Sequence, residues 1–187
     1  MSIPATQLKK GMAIIYEGEL HDVVDLMHVT PGNWRGMVQA KLRLVKSGNM
    51  VEHRFGSKDS VEVADVDTAE VEYLYDDAHG VVVMDTTSYE QFTIPKFFIE
   101  DKKGFLTSNL TMNVKRVESI VVGVGLPSAV ILEVTDTEPA LKGATVTNVY
   151  KAAKVSTGLE VQVPPFIKIG DKVKVSTEDG KYLERAK

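Results

Sequence analysis

The sequence predicts an all-β protein made of small barrels, and three observations carry that reading. Apolar residues recur in short Val-rich runs, several alternating with polar residues at the period of two that half-buries a strand. Gly, Pro, Asn and Asp-Gly punctuate the runs at spacings too close for ordinary helices. A strand number in the mid-teens is high for one sheet in 187 residues, which favours two or three barrels of about 60 residues each over a single sandwich.

Each run has its own justification. "HDVVDLMHV" (21–29) and "MVQAKLRLV" (37–45) flank "TPGNWRG", where Pro31 and Gly32 support a tight turn, so the pair reads as a hairpin with Trp34 and Arg35 at its tip. "VEYLYD" (71–76) and "GVVVMD" (80–85) are strands; Asp76 and Asp77 between them, next to "AHG", read as a β-turn in which an aspartate caps its own backbone. "PKFFIEDKKGFL" (95–106) alone has helical spacing: Phe98, Ile99 and Lys102 fall three or four apart and Pro95 suits an N-terminal position, so one short helix is expected. "SIVVGVG" (119–125), "AVILEVTDT" (129–137), "GLEVQVPPF" (158–166) and "DKVKVST" (171–177) supply the later strands. Breaks near 65–68 and 127–128 divide the chain into expected domains 1–65, 66–128 and 129–187, and neither break has the composition of a flexible linker.

Composition narrows the function classes. With no cysteine the chain has neither a disulfide framework nor a thiolate metal site. Its first residues lack a signal-peptide core, and no run approaches the roughly 18 apolar residues of a membrane span, so a cytoplasmic protein with no membrane partner is expected. The net charge of −4 argues against a chain whose whole surface meets polyanions. By expected domain, Lys+Arg against Asp+Glu runs 8 to 8, 5 to 10 and 9 to 8, so the middle is the acidic part. Residues 26–51 contain no Asp or Glu but carry His28, Arg35, Lys41, Arg43 and Lys46. Two readings of that strip are open: a surface for phosphate, or a solvated strand face balanced in space by Asp22, Asp25 and Glu52.

Enzyme chemistry finds little support. His21, His28, His53 and His79 stand apart in the sequence, without zinc-binding spacing, and each is expected as a surface or strand residue; no metal and no cofactor are expected. "GVGLP" (123–127) lacks the third glycine and following helix of a dinucleotide loop and reads as a strand end with a turn. "NLT" (109–111) matches a glycosylation sequon by chance. No nucleophile–base pair and no paired carboxylates of a glycosidase can be assigned.

The C-terminal third is the distinctive part. "AKVSTGLEVQVPPFIKIGD" (153–171) resembles the signature of the C-terminal domain of the bacterial translation elongation factor P family, and "LKKGM", "KLRLVKSG", "YLYDD", "VVMDTTSYEQF" and "SAVILEVTDTEP" are similar to further landmarks of that family in the same order. The resemblance covers the whole chain. It implies an N-terminal SH3-like (KOW-type) barrel followed by two OB-fold barrels, acting as an accessory factor and not as an enzyme. Its implied partners are the ribosome, through the rRNA of both subunits, and peptidyl-tRNA. Its implied work is to stimulate peptide-bond formation and relieve stalling at consecutive prolines, as a monomer.

The resemblance also gives the hairpin tip a role. In the family the tip approaches the CCA end of peptidyl-tRNA and carries a lysine or arginine extended by a modifying enzyme. Counted back from "KLR" without a gap that position falls on Asn33, with Arg35 two places later, so the expected contact set is Pro31, Gly32, Asn33, Trp34 and Arg35, with Arg35 or Asn33 as the modification position. Trp34 either stacks on a base or folds back over the first barrel. In the third domain the family's Leu-Lys-Gly-Asp-Thr loop reads "LKGAT", so Lys142, Gly143, Ala144 and Thr145 are the expected nucleic-acid loop with Ala144 in place of the acid. Tyr182 and Arg185 match the family's rRNA-facing pair, the alternative being a frayed tail with a strand-end tyrosine. The competing function is a general single-stranded nucleic-acid-binding tandem OB protein, which would need a basic groove along its length where this chain has an acidic middle.

Overall fold

The computed structural model describes residues 1–30, 32, 36–139 and 150–187, and among these it is an all-β protein with sixteen strands in three sheets. The first sheet contains β1 (Ser2–Pro4), β2 (Ala13–Tyr16), β3 (Glu19–Val29), β4 (Met37–Leu44), β5 (Met50–Gly56) and β6 (Ser60–Val63), in the order β1-β6-β2-β3-β4-β5. Alternation decides which side chains enter it: Val38, Ala40 and Leu42 of β4 are buried while Met37 and Lys41 between and beside them are exposed. With Leu8, Ile14, Val23, Phe55 and Val61 they form the core of a small SH3-like barrel. Register slips between Val23 and Asp25, leaving Val24 as the extra residue of a bulge that increases the twist of the long hairpin.

The second sheet contains β7 (Asp67–Asp76), β8 (Gly80–Asp85), β9 (Gln91–Pro95), β10 (Thr111–Val117) and β11 (Ile120–Gly125), in the order β11-β10-β7-β8-β9. "GVVVMD" is β8 over the expected span, and Val81, Val82 and Val83 are all buried, which explains its unbroken apolar run. The turn before it is held as expected, Asp77 accepting hydrogen bonds from the backbone N–H groups of His79 (2.7 Å) and Gly80 (2.8 Å). The short helix is found as α1 (Lys96–Ile99), and its chain runs on as a 3₁₀ segment, Glu100–Phe105, not as further α-helix. Gly104 is one cause, since glycine is costly in a helix; the other is tertiary, because the Gly104 carbonyl accepts a bond from Thr157 Oγ1 at 2.6 Å.

The third sheet contains β12 (Ala129–Thr137), β13 (Lys151–Val155), β14 (Glu160–Val163), β15 (Lys172–Ser176) and β16 (Tyr182–Arg185), in the order β14-β13-β12-β15-β16. Val130, Leu132, Val134, Val161, Val163, Ile167, Val173 and Val175 fill this OB barrel. The chain packs as two compact units, one of Met1–Ala69 with Val114–Gly125 and one of Glu70–Asn113 with Leu126–Lys187.

Candidate functional site

The hairpin of β3 and β4 is the first element to weigh. Its strands stay paired as far as Val29 opposite Met37, and β5 accompanies β4 to the same level, Met37 facing Gly56. Val38 and Phe55, opposite one another, are its last buried pair; Met27 and His28, level with Gln39 and Val38, are exposed, as are Thr30 and Met37 beyond them. Gly32, in the turn, has φ +58 and open space around the position of a Cβ, a conformation that glycine adopts without strain. Pro31, Asn33, Trp34 and Arg35 lie outside the described residues, as do Lys142, Gly143, Ala144 and Thr145.

Two residues of the basic strip, Arg43 and Lys41, are set against acids in space. Arg43 donates from Nε and Nη2 to the two carboxylate oxygens of Asp22 at 3.0 and 2.9 Å, and Asp22 is buried. Lys41 sits between Asp25 on β3 and Glu52 on β5 in the cross-strand register. A fork-to-fork ion pair fixes β4 against β3 and leaves Arg43 committed within the barrel.

The histidines stand on strands or at the surface as expected, and two of the strand residues, His21 on β3 and His53 on β5, are drawn into the first barrel. His21 is buried, its Nδ1 within 3.0 Å of the Glu19 carbonyl, and His53 Nδ1 lies 2.9 Å from the Tyr16 hydroxyl. The Tyr16 ring meets His21, His53 and Phe55 at centroid distances of 5.6, 4.7 and 6.1 Å. Burial, and then the neighbouring Glu17 carboxylate, push the Tyr16 phenol above its ordinary value. This cluster braces β2 against β5 across 37 residues of sequence, a proximity that spacing along the chain does not reveal. Among the described residues no group of three or more His, Cys, Asp or Glu is placed to hold a metal ion, and no helix is long and apolar enough to cross a membrane.

In the third domain Tyr182 and Arg185 lie on β16, opposite Val175 and Val173 of β15. Residues directly opposite share a face of the sheet. Tyr182 is accordingly packed, partly buried, against the barrel core, whereas Arg185, near the end of the edge strand, stays exposed although the buried Val173 lies opposite it. The strand is paired and the Ala186 N–H continues to the Lys172 carbonyl at 2.8 Å, so the segment is not a frayed tail. Burial raises the Tyr182 phenol, and the adjacent Arg185 charge offsets part of that rise.

Comparison with known proteins decides the family. Family profiles described as the KOW-like domain, the OB domain and the C-terminal domain of elongation factor P match residues 4–61, 66–124 and 130–185 in that order. The chain belongs to the elongation factor P family. A relative named Elongation factor P from Acidobacterium capsulatum is 47% identical over 186 residues, covering 100% of both chains. Relatives of the same name from Caldicellulosiruptor bescii and Syntrophomonas wolfei are 38% and 40% identical over 183 residues, each covering 98% of this chain and 99% of the relative. The chain is thus a translation factor with the full domain set of elongation factor P, and all three β-barrels expected from its sequence are present.

Proposed function

We propose that this elongation factor P binds the ribosome beside peptidyl-tRNA in the cytoplasm, stimulates peptide-bond formation and relieves stalling at consecutive prolines. The observation that supports this reading is the end-to-end match to relatives named Elongation factor P, on a chain whose first barrel extends a hairpin past its last buried pair, Val38 and Phe55. Proline reacts poorly because its ring fixes φ and makes its nitrogen a constrained secondary amine. A factor that holds peptidyl-tRNA in a reactive geometry lowers that barrier through lost disorder, with no acid or base of its own.

In this reading Pro31, Gly32, Asn33, Trp34 and Arg35 form the contact with the tRNA end, and Arg35 or Asn33 is the position on which a modifying enzyme acts. Lys142, Gly143, Ala144 and Thr145 meet nucleic acid from the third domain, and Arg185, with the edge of Tyr182, meets rRNA. The domains are 1–65, 66–128 and 129–187, and the factor works as a monomer.

The test is a reporter with three consecutive prolines beside a proline-free control. Arg35→Ala, Trp34→Ala and Asn33→Ala should slow only the proline reporter, by about fivefold to a hundredfold if each lost contact is made only in the productive state. Parental rates from all three variants would sink the assignment of the tip. The intact mass of the native protein locates any modification, an added mass at Arg35 or Asn33 identifying the modified residue.

A further inference from the structure

We propose that the loop of residues 164–171 in the third domain is a binding surface for an unpaired stretch of RNA, with Phe166 as the stacking platform and Lys168 and Arg185 as its phosphate contacts. The inference rests on the reading that the third domain meets RNA.

The loop is fixed at every turn. Ile167 is wholly buried in the barrel core and its N–H donates to the Pro164 carbonyl at 3.1 Å. The Asp171 carboxylate accepts from the Lys168 N–H at 2.9 Å, and the Asp171 N–H returns to the Lys168 carbonyl at 3.1 Å. Bonds from Gly170 N–H to the Val134 carbonyl and from Val134 N–H to the Asp171 carbonyl, at 2.8 and 2.9 Å, tie the loop to β12. Yet Phe166 and Ile169, on either side of this anchored segment, remain 56% and 61% exposed, with Pro165 exposed beside them. A rigid loop that holds an aromatic ring in solvent has already met the ordering cost of binding.

Charge selects the occupant. Lys168 and Lys172 are exposed, and the register brings Arg185 opposite Val173, one residue beyond Lys172, whose carbonyl accepts from Ala186. Of the acids nearby, Asp171 closes the loop, Glu184 is paired with Lys174 at 3.0 Å on the outer face, and the exposed Glu133 lies opposite Lys172, which leaves Lys168 and Arg185 as the cations for phosphate. Exposed cations next to an aromatic face repel a basic protein segment and match a base beside its phosphate. Single-stranded RNA satisfies both features at once, the base on Phe166 with Ile169 along its edge.

The experiment uses the full chain and purified ribosomes. Phe166→Ala should weaken association by about fivefold or more, and Phe166→Trp should preserve it, with the melting temperature unchanged in both because the ring is exposed. Lys168→Ala should lower the slope of log affinity against log salt by about one. A benzophenone cross-linker at position 166 should attach to ribosomal RNA. Parental binding by Phe166→Ala beside weakened binding by Arg185→Ala would overturn this proposal alone, and parental binding by both would overturn the RNA reading of the third domain as well. Cross-linking only to ribosomal protein, or a melting temperature lowered by several degrees in Phe166→Ala, would also overturn it.

Discussion

Replacing Tyr182 separates two roles that the third barrel gives one side chain. A fully enclosed aromatic ring removes roughly 150–250 Å² from water. Tyr182, packed against the core but only partly buried, withdraws on the order of 100 Å², which at about 25 cal/mol per Å² is worth ~2.5 kcal/mol. Tyr182→Ala should therefore lower the melting temperature by about 5–10 °C for a chain of this size, and Tyr182→Phe, which keeps the ring, should leave it within a degree or two. Ribosome co-sedimentation at a temperature where all variants are folded then reads the hydroxyl and the ring edge apart from stability. Arg185→Ala, at the exposed sheet edge, is the matched control: it should weaken association without moving the melting temperature. An unchanged melting temperature in Tyr182→Ala would refute the packing argument and return Tyr182 to a purely external role.

Three further outcomes are expected. Gly80→Ala places a Cβ 1.9 Å from the Ile94 carbonyl oxygen, a clash with backbone that β8 and β9 cannot relieve by a rotamer change, so denaturant unfolding should show a loss of about 3 kcal/mol or more. A double-mutant cycle on Asp22 and Arg43 should give a coupling of about 1–3 kcal/mol that survives high salt, because the Asp22 carboxylate is buried; a coupling abolished by salt would mark the pair as a surface contact. Asp77 is held below the ordinary aspartate value near 3.8, first by the His79 N–H and further by the Gly80 N–H. Its contribution is present above about pH 4 and lost as pH falls through the depressed value, so Asp77→Ala should flatten the stability curve in that acid window.

Strands whose apolar pattern is continuous or cleanly alternating were legible from the sequence, and "GVVVMD" and "AVILEVTDT" coincide with β8 and β12 to the residue. Less legible are strands such as β13, "KAAKV", whose alanines have little strand preference of their own and whose place is set by pairing with β12 and β14. The end of α1 was obscure for the same kind of reason, since the bond from Thr157 to Gly104 joins residues 53 positions apart. At the candidate sites, family motifs named Tyr182 and Arg185, but both lie opposite buried valines of β15, and only their packing in the folded barrel distinguishes a partly buried ring from an exposed guanidinium. The Tyr16, His21 and His53 cluster had no signal along the chain.

The positioning mechanism proposed above makes a demand on the framework behind the hairpin turn, and the strand pairing of the first barrel is suited to it. A two-stranded hairpin alone is marginally stable in water, and a tip carried on one would lose through its own motion the order it is meant to impose. Here β4 is paired on both sides along its length, with β3 to Val29 and with β5 to Gly56, so the turn emerges from three strands and not from two. Gly56 is itself held, its N–H donating to the Asp59 carboxylate at 2.7 Å, and the Asp22–Arg43 fork locks the opposite end of the hairpin. The proposed positioning then depends on residues of the framework, Asp22, Arg43, Gly56 and Asp59, that lie outside the proposed contact set. The side of the barrel that gives up basic charge, by pairing Arg43 internally and setting Lys41 between acids, is the side that supplies this stiffness, so under the proposed function a charge-neutral framework stands behind the contact residues.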